Sequence, residues 1–107
     1  MAKKKISPRN ERRAAARDAD KLARDREKLA RLEPGGVPER PVDVESASQI
    51  EPHALAMRCL RCDGANRLVE HAAETVGGQR LRAARMACAR CGATRTLWFR
   101  ITAHLPS

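Results

Sequence analysis

Aromatic side chains are nearly absent from this chain: it has one tryptophan, Trp98, one phenylalanine, Phe99, and no tyrosine. Hydrophobic residues fill 42% of its 107 positions, but many are alanine, which buries little area per residue. A folded unit of about 50 residues built from such side chains is marginal and needs a staple. Long apolar runs are missing too. None approaches the roughly 18 residues of a membrane helix, so no spanning segment is expected. The opening Met1-Ala2-Lys3-Lys4-Lys5-Ile6-Ser7-Pro8 is basic with no apolar run behind it, which argues against a secretory leader. A cytoplasmic, reducing setting is therefore expected, where paired cysteines serve metals more often than disulfides.

What the chain has in excess is positive charge, a net +9 carried mostly by arginine. Residues 1–33 hold twelve basic and six acidic groups, and residues 55–107 hold nine and three. Between them, residues 34–54 hold one basic and four acidic groups. Two basic ends around an acidic middle favour a polyanionic partner such as RNA, DNA or a ribosomal surface. The same charge also serves solubility in an alanine-rich chain.

Composition divides the chain into three parts. Residues 1–33 read as a basic, charged helix or tail. Ser7 can cap it, Pro8 suits the first helical position, and Pro34-Gly35-Gly36 stops it. Asp20 with Arg24 and Glu27 with Arg31 are favourable i,i+4 pairs. Ala15, Leu22 and Leu29 form a thin stripe interrupted by Ala19 and Arg26, too sparse for a coiled-coil seam. Residues 34–56 read as a Pro/Gly linker with a short ordered segment. Val42-Asp43-Val44 suits an extended piece, and Ser48-Gln49-Ile50-Glu51 matches a capping box opening a short helix that includes Pro52. His53 stands six residues before Cys59, outside ligand spacing, and reads as a surface or packing residue.

Residues 57–105 form the domain where chemistry is legible. Cys59-Leu60-Arg61-Cys62-Asp63-Gly64 and Cys88-Ala89-Arg90-Cys91-Gly92 are two Cys-x-x-Cys turns separated by 25 residues. Each turn directs two thiolates inward, with Gly64 and Gly92 expected to supply the positive φ that the tight turn demands. Two such turns facing each other make a closed tetrahedral site, with sulfur at about 2.3 Å from zinc. Cys59, Cys62, Cys88 and Cys91 are therefore the expected ligands of one structural Zn²⁺.

The intervening residues bring the two turns together by a hairpin. Gly77-Gly78 is a two-residue turn signal. Counting back from it places Glu70 opposite Arg85, Val69 opposite Met86 and Arg67 opposite Cys88. Thr94 to Ile101 then reads as a further strand, with Leu97, Phe99 and Ile101 on one face and Thr96, Trp98 and Arg100 on the other. Trp98 either stacks on a base among the arginines or packs against the Val42–Leu55 region. His71, mid-strand and about nine residues from a cysteine, reads as a strand-face residue.

Over residues from about 57 to 101 the sequence resembles the zinc-ribbon superfamily, in which two Cys-x-x-Cys knuckles sit at the base of a three-stranded antiparallel sheet. The resemblance implies a small metal-bound β domain, here preceded by a basic helix and a proline-containing linker. Ribbons of this kind occur in transcription factors, polymerase subunits, ribosomal proteins and topoisomerases. The spacing is close to that of transcript-cleavage elongation factors, but Val76-Gly77-Gly78-Gln79 lacks the acidic pair those factors carry at the hairpin tip. Rubredoxins hold iron in two such knuckles, shielded by an aromatic cluster this chain lacks, so zinc is expected.

Two functions follow as expectations. One is nucleic-acid binding, or attachment to a ribosome or transcription complex, through Arg58, Arg61, Arg82, Arg85, Arg90, Arg95, Trp98 and Arg100, assisted by Lys3-Lys4-Lys5. The other is a protein-interaction adaptor, with the ribbon as a rigid module and the helix tethering an acidic partner. No membrane and no small-molecule substrate is expected. No catalytic residue is expected either, because four cysteines leave a zinc ion no open position, and redox pairs stand alone at a helix start.

Overall fold

The computed structural model describes residues 7–102; Lys3-Lys4-Lys5 lies outside them. Helix α1 spans Pro8–Leu32 and is made mostly of alanine, arginine, lysine, glutamate and leucine, all strong helix formers. Ser7 caps it, its hydroxyl accepting from the Asn10 N–H at 3.2 Å. Glu33 leaves in extended backbone (φ −81°, ψ 156°), since the residue before a proline is disfavoured in helical geometry. The packed face is not the Ala15, Leu22, Leu29 stripe. Ala23 and Ala30 are buried, whereas Leu22, Leu29 and Leu32 are exposed. Small side chains let the helix lie close to the domain, and Glu27 between them accepts from Arg61 Nε at 2.9 Å. That contact replaces the expected Glu27–Arg31 pair, and Asp20 and Arg24 do not pair either among the described residues.

Strand β1 (Val42–Val44), a 3-10 turn at Ala47–Gln49 and helix α2 (Ile50–Leu55) follow. The capping box expected at Ser48 does not form. The chain begins to coil earlier: Ser48 Oγ lies 2.7 Å from Ser46 Oγ, and Gln49 Oε1 accepts from the Glu45 N–H at 2.8 Å. Pro52 is the third residue of α2, where its missing N–H leaves no helical bond unmade.

Strands β2 (Asn66–Val76), β3 (Gln79–Cys88) and β4 (Thr94–Ile101) form the expected antiparallel meander. The sheet is nevertheless four-stranded and mixed, in the order β1-β4-β3-β2, because β1 adds parallel to β4. Val42 and Val44 flank Asp43, which accepts from Arg100 Nε at 2.7 Å, so the short strand carries its own side-chain link to its neighbour. This corrects the expected three-stranded antiparallel sheet.

Gly77 and Gly78 both take positive φ, 57° and 79°, the requirement of a type I′ hairpin. From that turn the expected register holds as far back as Glu70 opposite Arg85, which form an ion pair. It then shifts at a bulge between Leu68 and Glu70, placing Leu68 opposite Met86 and Asn66 opposite Cys88. Strict alternation would have turned Arg67 toward the core. One extra residue sends Arg67 and Val69 to solvent and puts Leu68 against the core instead.

The core lies on one sheet face: Ala84, Met86, Leu97 and Phe99 pack with Val44, Ile50 and Ala54, and Val42, Met57, Leu68 and Ile101 close its edge. The stretch read as a linker therefore supplies three of the buried residues. His53 meets Phe99 edge-on, with ring centroids 5.4 Å apart.

Candidate metal centre

The sheet brings the ends of β2 and β3 together, and the two cysteine turns hang from them. The Sγ atoms of Cys59, Cys62, Cys88 and Cys91 all lie within 4.8 Å of one another. Cys59 and Cys91 are 3.6 Å apart and Cys62 and Cys88 3.3 Å. A tetrahedron with metal–sulfur distances of about 2.3 Å has edges of about 3.8 Å, so the cage is close to the size a metal ion needs. The cysteines form no disulfide.

The two turns share one scheme of hydrogen bonds. Cys59 N–H donates to the Gly64 carbonyl at 3.0 Å and Asp63 N–H to the Cys59 carbonyl at 2.9 Å. Twenty-nine residues on, Cys88 N–H donates to Ala93 at 2.9 Å and Gly92 N–H to Cys88 at 3.0 Å. The amides of Arg61 and Arg90 point at the Cys59 and Cys88 sulfurs, at 3.4 and 3.3 Å. Cys91 N–H adds a second amide to Cys88 at 3.4 Å.

Those amides decide where charge sits among the thiols. The Cys91 amide, followed by the Arg90 amide against the opposing effect of burial, lowers the Cys88 pKa to about 6. Its partner Cys62 is pushed up to about 12, chiefly by the hydrogen bond between their sulfurs. The two thiols titrate as a coupled pair, with one proton shared between their sulfurs. A cation bound by all four sulfurs displaces that proton.

The glycines play different parts from those expected. Gly92 takes φ 77°, as anticipated, but in the first turn Asp63 holds the positive φ, at 60°. Aspartate tolerates that region better than most residues. Gly64 is needed for space: a Cβ there would stand 3.1 Å from both the Cys62 and Cys88 sulfurs. The signal for this was present in the sequence. Cys-x-Arg-Cys occurs twice with the same offset, and aligning the copies sets Asp63 against Gly92 and Gly64 against Ala93.

The remaining predicted residues do not converge on one face. By register Arg85, Trp98 and Arg100 lie on the outer face of the sheet and Arg82 and Arg95 on the core side. Arg61, Arg85 and Arg100 are engaged by Glu27, Glu70 and Asp43. Arg58 Nη1 donates to the Asp63 carbonyl at 3.3 Å, and Arg90 is exposed on the second turn. Trp98 is half-buried and lines a cavity with the last turns of α1 and Gly36. The Val42–Leu55 region packs instead on the opposite face, against Leu97 and Phe99.

No known protein family, curated protein or solved structure matches this chain. The described part of the chain thus contains a helix, a four-stranded mixed sheet and a four-cysteine cluster suited to a structural metal. No helix among the described residues is long and apolar enough to cross a membrane.

Proposed function

We propose that this chain is a structural zinc-ribbon protein that binds nucleic acid, or a ribosome or transcription complex built on it, through its basic surface. Zinc suits four thiolates in a tetrahedron, has no redox chemistry to control, and contributes folding energy to small domains. With every coordination position taken by sulfur, the site is structural and the protein is not an enzyme.

The observation that carries the nucleic-acid part is the arginine excess. Nine arginines lie in residues 55–102, and only Arg61, Arg85 and Arg100 are in ion pairs among the described residues. Binding that rests on such charges is strongly salt-dependent, because it works by counterion release. RNA or DNA affinity that stays constant from low to high salt would defeat this reading. Metal analysis should give one zinc per chain, with thiols that react only after chelation; iron or free thiols would defeat the zinc assignment.

A second reading, a protein-interaction adaptor, has its own support in α1. Leu22, Leu29 and Leu32 are 52–65% exposed along that helix, an unusual outlay of large apolar side chains on a basic surface. Partner capture that survives nuclease treatment and fails when these leucines become glutamines favours the adaptor.

A further inference from the structure

Where α1 meets the first cysteine turn and β4, the structure encloses a cavity of about 310 Å³, at the small end of ligand-site volumes. Its walls include Ala30 and Arg31 of α1, Arg61 of the first turn, and Arg95, Thr96 and Trp98 of β4. The cavity opens along a strand edge. β1 pairs with β4 only at Phe99–Ile101, and beyond it the Trp98 N–H is taken by the Gly35 carbonyl at 2.9 Å. From Thr94 to Leu97 no strand lies on that side among the described residues. Arg95 and Trp98 leave β4 from opposite faces and both reach the cavity at this open edge.

Arg95 is the unusual member. Its Nη2 is buried with no hydrogen-bond partner among the described residues, although a guanidinium fork left unsatisfied is costly to bury. Burial lowers its pKa from the ordinary value, with the Glu33 carboxylate acting against that shift. The carboxylates nearby do not satisfy it: Glu27 is held by Arg61, and Glu33 forms no ion pair among the described residues. Arg31 adds a second positive charge to the wall and forms no ion pair among the described residues. An anionic group is the missing complement, and the planar guanidinium prefers phosphate or carboxylate geometry. The indole of Trp98 on the same cavity supplies an aromatic surface suited to a base.

We propose that this cavity takes one nucleotide of a single-stranded nucleic acid, with its phosphate on the Arg95 guanidinium and its base against Trp98. The assignment rests on the nucleic-acid reading above and sharpens it. Binding is concentrated at one composite pocket rather than spread over arginines that the sheet divides between two faces, and α1 forms one of its walls.

Trp98 is the only tryptophan and there is no tyrosine, so intrinsic fluorescence reports on this pocket alone. The full zinc-loaded chain is titrated with fluorescein-labelled 12-mers of dT and rU, following label anisotropy and, with unlabelled oligomers, Trp98 emission. Both signals should saturate together. Arg95→Ala should weaken binding about tenfold or more and lower the log–log salt slope by about one. Arg95→Lys, which keeps the charge and loses the fork, should fall between, and Arg80→Ala near the hairpin turn should change affinity less than twofold. Zinc content and circular dichroism equal to the parent's mark a variant as folded; Arg95→Lys carries the test if Arg95→Ala fails that check. Oligomer binding with unchanged Trp98 emission and no effect of the Arg95 variants overturns the pocket and leaves the nucleic-acid reading standing. No binding of either oligomer at low salt overturns both. Polyphosphate of equal charge that quenches Trp98 as strongly as the oligomers overturns the base contact.

Discussion

In the first cysteine turn the positive φ falls on Asp63 and the crowded position on Gly64; in the second the positive φ falls on Gly92, and Ala93 stands where the first turn has Gly64. The backbone-to-backbone hydrogen bonds of the two turns are equivalent, but the Cys88 sulfur accepts from two amides and the Cys59 sulfur from one. Burial differs as well. Cys59 and Cys88, the leading cysteines, are buried, whereas Cys62 is half-buried and Cys91 exposed. One backbone design therefore tolerates two sequences: each turn has one left-handed residue, and in the first a Cβ at the next position would stand 3.1 Å from two sulfurs. The first turn also receives a contact from α1, through Arg61 and Glu27.

Substitutions can break or refine this comparison, and the cysteines come first. Cys88→Ser removes a buried ligand that accepts two amides. We expect it to abolish stoichiometric metal binding and amide-exchange protection across residues 57–101, since metal binding in such a domain supplies about 10–16 kcal/mol of apparent free energy. A strong chelator should do the same. Cys91→Ser, at the exposed corner, should retain weaker binding. Unchanged circular dichroism and exchange after metal removal would refute a structural metal.

Next in size is Gly64→Ala. The new methyl meets both sulfurs at 3.1 Å, so metal affinity should fall about 10–100-fold, the range seen when groups supporting a ligand shell are disturbed. The corresponding change in the second turn, Ala93→Gly, should leave affinity unaltered. A competition titration with a chromophoric chelator separates the two.

Gly92→Ala tests the other half of the design. Nothing lies within 4 Å of a Cβ built there, so only the left-handed backbone is penalised, at about 1–2 kcal/mol. The loss should show in thermal unfolding with metal affinity nearly intact. Asp63→Gly should be close to neutral, within about 0.5 kcal/mol, because aspartate already tolerates its conformation.

The smallest effects belong to exposed ion pairs. Arg61→Ala should cost about 0–1 kcal/mol, as for surface pairs generally, and loosen α1 rather than the turn, seen as faster exchange in its last two turns. Asp43 is held below the ordinary carboxylate pKa chiefly by its hydrogen bond with Arg100. Because its folded pKa is lowered, the contribution is present at neutral pH and is lost as pH falls through that lowered value. A carboxyl NMR titration of Asp43 with a midpoint at the ordinary aspartate value would remove it.

Much of the candidate site was legible. The cysteines, the Gly77-Gly78 turn and the pairing of Glu70 with Arg85 followed from spacing and from turn chemistry, which act over short stretches. Legibility ended at Val69. The bulge answers a requirement that lies across the sheet, namely that Leu68 rather than Val69 meet Met86 and the core beyond it. The packed face of α1 was not legible for a related reason. Leucine marked the hydrophobic stripe, but close approach favoured Ala23 and Ala30, and only the partner surface settles whether size or hydrophobicity selects the packed side.

From the sequence by itself came the ligand set, the hairpin that closes it and the basic charge, because each depends on residue type and local spacing. Tertiary structure alone decided that β1 completes a mixed sheet and that the acidic middle stretch supplies Val44, Ile50 and Ala54 to the core. It also decided that Asp63 rather than Gly64 takes the left-handed position, and that Arg95 and Trp98 share a cavity walled by α1. These features depend on which distant surfaces meet, and the energies that select them arise only once the chain has closed on itself.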